Sequence, residues 1–214
     1  MPTRTRHADD APDPRFEFRS FGQDFDAIHH RLGRLSVPLP EAQWERHSDE
    51  TYIVSCTNDV HNSKIRDDQL DIKTLMRTVA DLEQWKPLLK ARFPLTPEVL
   101  RGEVFPALGT GILGLSAEPC ELPAFLAMLR GHPDVAVVQV RKQRFAYRVH
   151  DTICEYAVVL INGARVVTVS SESTDPEAIR RTMHDTGMAG LENVNYLQAI
   201  KRVIGMVPMA LAVA

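Results

Sequence analysis

The strongest constraint in the chain is a pair of runs rich in β-branched residues, folded back on each other at Asn162-Gly163. Thr152 to Ile161 and Ala164 to Ser171 are rich in valine and isoleucine. An Asn-Gly pair between two such runs is the tight turn of an antiparallel hairpin, because both turn positions need positive φ. Further runs repeat the pattern. Arg15-Phe-Glu-Phe-Arg-Ser-Phe alternates charge with aromatic rings; Glu50 to Cys56, His61 to Arg66 and Gln69 to Leu75 follow, the last two separated by Asp67-Asp68; and Val135 to Val149 precedes the Asn-Gly hairpin. Helical spacing is found at 24–35, with Asp24 as the cap, at 79–93 and 97–108 on either side of Pro94, at 121–129, at 176–186 and at 194–204. Residues 82–87 are expected to belong to a helical insertion packed over the sheet. Seven or eight strands joined mostly as hairpins, with helices between and after them, predict a single α+β domain on an antiparallel sheet that can close into a barrel.

Composition narrows the function classes. The 214 residues suit one domain; 44% hydrophobic and 25% charged residues describe an ordinary folded chain. With 25 Lys and Arg against 28 Asp and Glu, the formal charge of −3 excludes a protein that coats nucleic acid by bulk positive charge, so no DNA partner is expected. Cys56, Cys120 and Cys154 are too few and too dispersed for a disulfide framework or a zinc site. The polar start carries no signal sequence, and the apolar stretch from Val203 to Ala214 is too short to span a bilayer, so a cytoplasmic location without membrane contact is expected. Residues 1–14 read as a leader, 15–205 as the domain and 206–214 as a tail. Gly109-Thr-Gly111-Ile-Leu-Gly114 matches a dinucleotide fingerprint by letter, but no βαβ unit surrounds it. His29 and His30 lack metal-ligand spacing, and Trp44 and Trp85 read as packing residues near helix ends.

The informative step is to sort the strand charges by face, since alternate residues point to opposite sides. Glu17 shares a face with Arg19, Lys64 with Arg66, and Asp71 with Lys73. Lys142, Arg144 and Arg148 share another, and Glu155 stands on a strand whose partner carries Thr168, Ser170 and Glu172 on one face. Gathered on the inside of one barrel, these side chains would hold a polyanion: arginine offers planar two-point contacts to phosphate, lysine a point charge, and carboxylates the oxygen ligands of a divalent cation.

In this order the residues resemble the CYTH domains, or triphosphate tunnel metalloenzymes. Arg15-x-Glu17-x-Arg19 resembles the opening E-x-E-x-K motif, and Glu50-Thr-Tyr the next strand. Ser63-Lys64-Ile65-Arg66 and the strand ending in Lys73 are similar to the basic strands that follow, and Lys142-Gln-Arg144-Phe-Ala-Tyr147 to the later K-x-R strand. Cys154-Glu155, Ser170-Ser-Glu172 and Asn195-Tyr196 resemble the acidic strand, the E-x-E strand and the polar-Tyr pair before the final helix. The resemblance implies an eight-stranded antiparallel tunnel. In it Arg19, Lys64, Arg66, Lys73, Lys142, Arg144 and Arg148 would hold a triphosphate, and Glu17, Glu155 and Glu172 would hold Mg²⁺ or Mn²⁺ and orient water. The implied activity is hydrolysis of inorganic triphosphate or a related small polyanion; the alternatives are a class IV adenylate cyclase and a binder that has lost catalysis. A homodimer is compatible with this pattern. Two departures stand out: Arg15 replaces the first acid of the opening motif, and Ser170 the first of the E-x-E pair.

Overall fold

A computed structural model describes residues 13–111 and 115–211. Eight strands close into a barrel: β1 (Arg15–Gly22), β2 (Glu45–Ser55), β3 (His61–Arg66), β4 (Gln69–Val79), β5 (Leu82–Arg92), β6 (Val135–Val149), β7 (Thr152–Ile161) and β8 (Ala164–Ser173). The strand order is β1-β5-β4-β3-β2-β6-β7-β8, with every neighbouring pair antiparallel. The α+β barrel expected from the alternation is therefore present, and it closes because β1 pairs with both β5 and β8. Four hairpins turn on two residues that both have positive φ: Asp67-Asp68, Ala80-Asp81, His150-Asp151 and Asn162-Gly163. This turn twists in the same sense as the strands it joins.

The segment expected as a helix at 79–93 is strand β5. Leucine, glutamate, lysine and alanine favour a helix locally, but pairing with β4 along its whole length and with β1 at its start outweighs propensities worth only fractions of a kcal/mol per residue. Its start was hidden because Ala80 rarely takes positive φ. Pro87 is accommodated where the β4–β5 register slips between Ile72 and Lys73. Residues 82–87 are consequently part of the barrel wall, and Trp85 lies within a strand. Helix α1 (Asp26–Leu35) begins two residues after Asp24, whose Oδ1 accepts a hydrogen bond from the Asp26 amide, and β2 starts at Glu45, five residues before the strand expected from Glu50.

Three apolar clusters fix the barrel. Phe16 and Phe18 on the outer face of β1 pack with Ile28 and Leu32 of α1, with Tyr147 and Tyr156, and with Ile179 of α6 (Pro176–Thr186). The short α2 (Glu41–Trp44) lies between α1 and β2. The outer faces of β2 to β5 lie under α3 (Pro97–Val99), a π-turn at Leu100–Val104, α4 (Phe105–Leu108) and α5 (Leu122–Arg130), with Ile72, Leu89, Val104 and Phe125 at the centre. Inside the barrel, Phe21, Val54, Val138, Val159 and Ile161 meet Leu197, Ala199 and Ile200 of α7 (Tyr196–Val203), which plugs one end. A capping box in which Asn195 and Gln198 bond each other's backbone starts α7. Met206 and Leu211, from the segment read as a tail, pack against the same cluster.

The glycine fingerprint has a structural use in its first member: Gly109 ends α4 at φ 67°, and its carbonyl accepts a hydrogen bond from Thr57 Oγ1; Gly114 lies outside the described residues. His29 is a satisfied packing residue, with Nε2 2.7 Å from the Tyr147 hydroxyl and its ring stacked on Tyr156. The three cysteines are free thiols. No helix among the described residues is long and apolar enough to cross a membrane.

Candidate binding tunnel

On most strands that form its wall the inner face changes character along its length. Away from α7, β1 presents Glu17 and Arg19, β7 Glu155, β8 Glu172 and Ser170, β6 Arg144 and Lys142, and β2 Glu50. Toward α7 the same faces carry Phe21, Ala157, Val166, Val140 and Val54. The charged half encloses a cavity of about 210 Å³. Of the seven cations named from the sequence, Arg19, Lys64, Lys73, Lys142 and Arg144 line it, as do all three glutamates, Glu17, Glu155 and Glu172. Arg66 and Arg148 do not. Arg66, at the last position of β3, lines an adjoining vestibule of about 740 Å³ that shares Lys142 and Arg144 with the cavity. Arg148 lies past the cavity on β6, in a separate pocket of about 290 Å³ with Arg15, Asp151 and Thr174 that shares Ile153 and Glu172 with the cavity. Their alternation was inward, but each strand runs beyond the enclosed part of the barrel.

The deepest charges form an ion cluster that sequence inspection passed over. Glu50, fully buried, accepts from Lys142 Nζ at 2.6 Å, and from Lys64 Nζ and Arg66 Nη1 at 3.4 Å each. Burial alone would raise its pKa, but the three cations outweigh burial and hold it at about 2. For Lys142 the balance falls the other way: burial and the nearby Lys64 charge outweigh the help of Glu50 and bring it down to about 7. Its ammonium also donates to the Tyr52 hydroxyl at 2.8 Å and lies 3.8 Å from the centre of the Tyr196 ring. The signal for Glu50 was its spacing to Tyr52, which puts both on the inner face of β2.

A second cluster joins β1 to β7. Arg19 donates from Nε to Glu17 at 2.6 Å and from Nη1 to Glu155 at 3.3 Å, with its guanidinium over the Tyr196 ring. Arg144 Nε is 2.7 Å from the other Glu155 oxygen. Glu155 is held at about 2, since Arg19, Arg144 and Lys142 together overcome its burial. At the mouth, Glu172 is paired with Arg15 at 2.8 Å. Beside the cavity, the buried Glu83 has no cation partner among the described residues: it accepts from Asn195 Nδ2 at 2.9 Å and Trp85 Nε1 at 3.1 Å, and burial raises its pKa. Two buried polar atoms of cavity-lining residues lack any partner among the described residues, the Tyr196 hydroxyl and Asn62 Oδ1. Such atoms are rare in folded proteins and mark positions where a ligand or water completes the bonding.

No family model matches the sequence, and no curated protein matches it. Solved structures do. A candidate adenylate cyclase from Bacillus halodurans aligns at TM-score 0.46 with 8% identity over 85% of this chain and 95% of its own. A Pyrococcus horikoshii protein aligns at 0.48 with 13% identity over 86% and 97%. A candidate adenylyl cyclase from Hippeastrum, described as having a dominant triphosphatase activity, aligns at 0.48 with 9% identity over 91% and 98%. By its own strand order the chain has the closed eight-stranded antiparallel barrel implied by its resemblance to the CYTH domains, with charges facing a common cavity and with Arg15 and Ser170 at two positions where that resemblance expects acids.

Proposed function

We propose that the tunnel binds a triphosphate chain, free or carried by a nucleotide, and that the protein hydrolyses its terminal anhydride bond. The observation that carries this is the convergence of Arg19, Lys64, Lys73, Lys142 and Arg144 on one cavity, from four different strands. Guanidinium and ammonium groups at this density suit a ligand with several anionic oxygens in a row. In the hydrolysis, water adds to the terminal phosphorus, the bond from that phosphorus to the bridging oxygen breaks, and the electron pair leaves with the diphosphate. Cations fixed around the chain lower the cost of the charge that develops on the leaving oxygen.

A divalent cation would, by the resemblance, be held by Glu17, Glu155 and Glu172. Among the described residues no three acids, histidines or cysteines are grouped so as to hold a metal ion, and each of these glutamates is bound by a guanidinium. The residues present do not fit that ion as they are arranged. The same observation favours a second reading, tight binding of the chain without turnover.

Incubation with tripolyphosphate or ATP, with and without Mn²⁺, tests both. Phosphate release that disappears in Lys64→Ala supports hydrolysis. A rise in melting temperature without release supports binding alone. Neither release nor a rise overturns the assignment of the tunnel, and appearance of cyclic nucleotide with diphosphate would make the reaction a cyclisation.

A further inference from the structure

Both departures from the acidic pattern act on the same feature of the tunnel. Arg15 not only removes one carboxylate; its Nη1 takes up Glu172 at 2.8 Å across the β1–β8 pair. Ser170 lies between Arg19 and Glu155, paired with Arg19 across β1–β8 and with Glu155 across β7–β8. Its short side chain leaves room for the Arg19 guanidinium to pass over β8 and reach Glu155 on the far side at 3.3 Å. A carboxylate at 170 would stand in that path and compete for Arg19. The outcome is that each of the three glutamates Glu17, Glu155 and Glu172 is held by at least one guanidinium: Arg15 on Glu172, Arg19 on Glu17, and both Arg144 and Arg19 on Glu155.

A divalent cation binds carboxylates through free oxygen lone pairs and is repelled by fixed positive charge nearby. With the glutamates taken up in this way, the carboxylate oxygens that a metal would need are already held by the protein's own arginines. Resting on the assignment of the tunnel to a triphosphate chain, we infer that the chain is bound without a divalent cation, because Arg15, and Arg19 reaching over Ser170, occupy the carboxylates that would hold one.

Calorimetric titration of the whole protein with tripolyphosphate, in excess EDTA and separately in excess Mg²⁺, tests this, together with titration of Mn²⁺ alone followed by the spin-resonance signal of the free ion. The expected result is binding in EDTA that Mg²⁺ does not strengthen by as much as about tenfold, and no uptake of Mn²⁺ by the unliganded protein. Arg15→Glu combined with Ser170→Glu should reverse this, taking up Mn²⁺ and binding tripolyphosphate only when Mn²⁺ is present. Arg15→Gln provides a milder variant. The Arg15–Glu172 pair is part-exposed, at 44% and 32%, and contributes little to folding; this variant should weaken binding in EDTA by about tenfold at most while remaining folded. Loss of wild-type binding in EDTA with binding retained in Mg²⁺ overturns the inference and leaves the tunnel assignment standing. Absence of binding in both conditions overturns the two together.

Discussion

Replacing Glu50 by glutamine removes the carboxylate at the centre of the buried ion cluster while keeping its volume. Glu50 is fully buried and its pKa is lowered from 4.5 to about 2, a difference equivalent to about 3 kcal/mol of interaction favouring the charged form. The same size follows independently from the cost of removing one partner of a buried pair, about 3–5 kcal/mol. The sign in pH is fixed by the direction of the shift. A carboxylate whose pKa is depressed on folding stabilises the protein fully above about 4.5, and that contribution is lost as pH falls through about 2, because the proton then binds both states. Urea unfolding of wild type and Glu50→Gln from about pH 2 to about pH 7 reads this directly. At neutral pH the variant should be less stable by about 3 kcal/mol, and the two proteins should converge at the acid end, where protonated Glu50 resembles the amide. The substitution should also tighten tripolyphosphate binding, since Lys64, Arg66 and Lys142 lose the carboxylate that competes for them. A gap below about 1 kcal/mol at neutral pH, or one that persists undiminished in acid, would refute the cluster as described.

Further outcomes follow from neighbouring groups. Because Lys142 titrates at about 7 and a bound anion favours its charged form, tripolyphosphate affinity should fall as pH rises through neutrality, and Lys142→Arg should flatten that profile in calorimetric titrations at fixed ionic strength. Tyr196→Phe removes a hydroxyl with no partner in the unliganded protein, so it should leave the melting temperature unchanged or higher while weakening ligand binding by about 0.5–1.5 kcal/mol. Asn195→Ala breaks the capping box of α7 and strips Glu83 of one donor; chemical unfolding should show a loss of about 1–2 kcal/mol, greater at high pH than in acid, where Glu83 is neutral in both proteins.

Much of the barrel was legible because alternation and turn chemistry agree. Asn162-Gly163 and Asp67-Asp68 are short turns of residues that tolerate positive φ, flanked by runs rich in β-branched residues around the first and by short alternating runs around the second. β5 was not, since its composition favours a helix and its turn begins with an alanine; only pairing with β4 and β1, distant in the argument available from one strand, makes it extended. The site divided in the same way. Inward-facing charges could be named from period two: of the seven cations and three glutamates so named, five cations and all three glutamates line the cavity. Period two does not say where along a strand the enclosed part ends, which is why Arg66 and Arg148 fall in the adjoining pockets. Nor does it say which charges meet: Glu50 gains its place from Lys142, 92 residues away in sequence.

The net charge of −3 and the basic tunnel are reconciled by where the pairing occurs. Inside the barrel Arg19, Arg144, Lys64 and Lys142 already have a carboxylate, so the cavity is rich in charge while nearly balanced, and an anionic ligand would be recognised by exchange of partners as much as by raw attraction. The plugged end sets how that exchange works. Tyr52 and Tyr196 form the floor, with Lys142 and Arg19 lying against the Tyr196 ring, and beyond them the inner faces are apolar down to α7. Water there has few polar groups to bind, so anionic oxygens at the floor must be met by Lys142, Arg19 and the free Tyr196 hydroxyl. A terminal phosphoryl group can use all three at once, whereas a ribose or base offers Lys142 and Arg19 no anionic oxygen in exchange for the carboxylates they already hold. On the proposed function, the end of the ligand expected to enter deepest is the end of the phosphate chain, with any nucleoside it carries toward the vestibule lined by Arg46, Arg66 and Arg141.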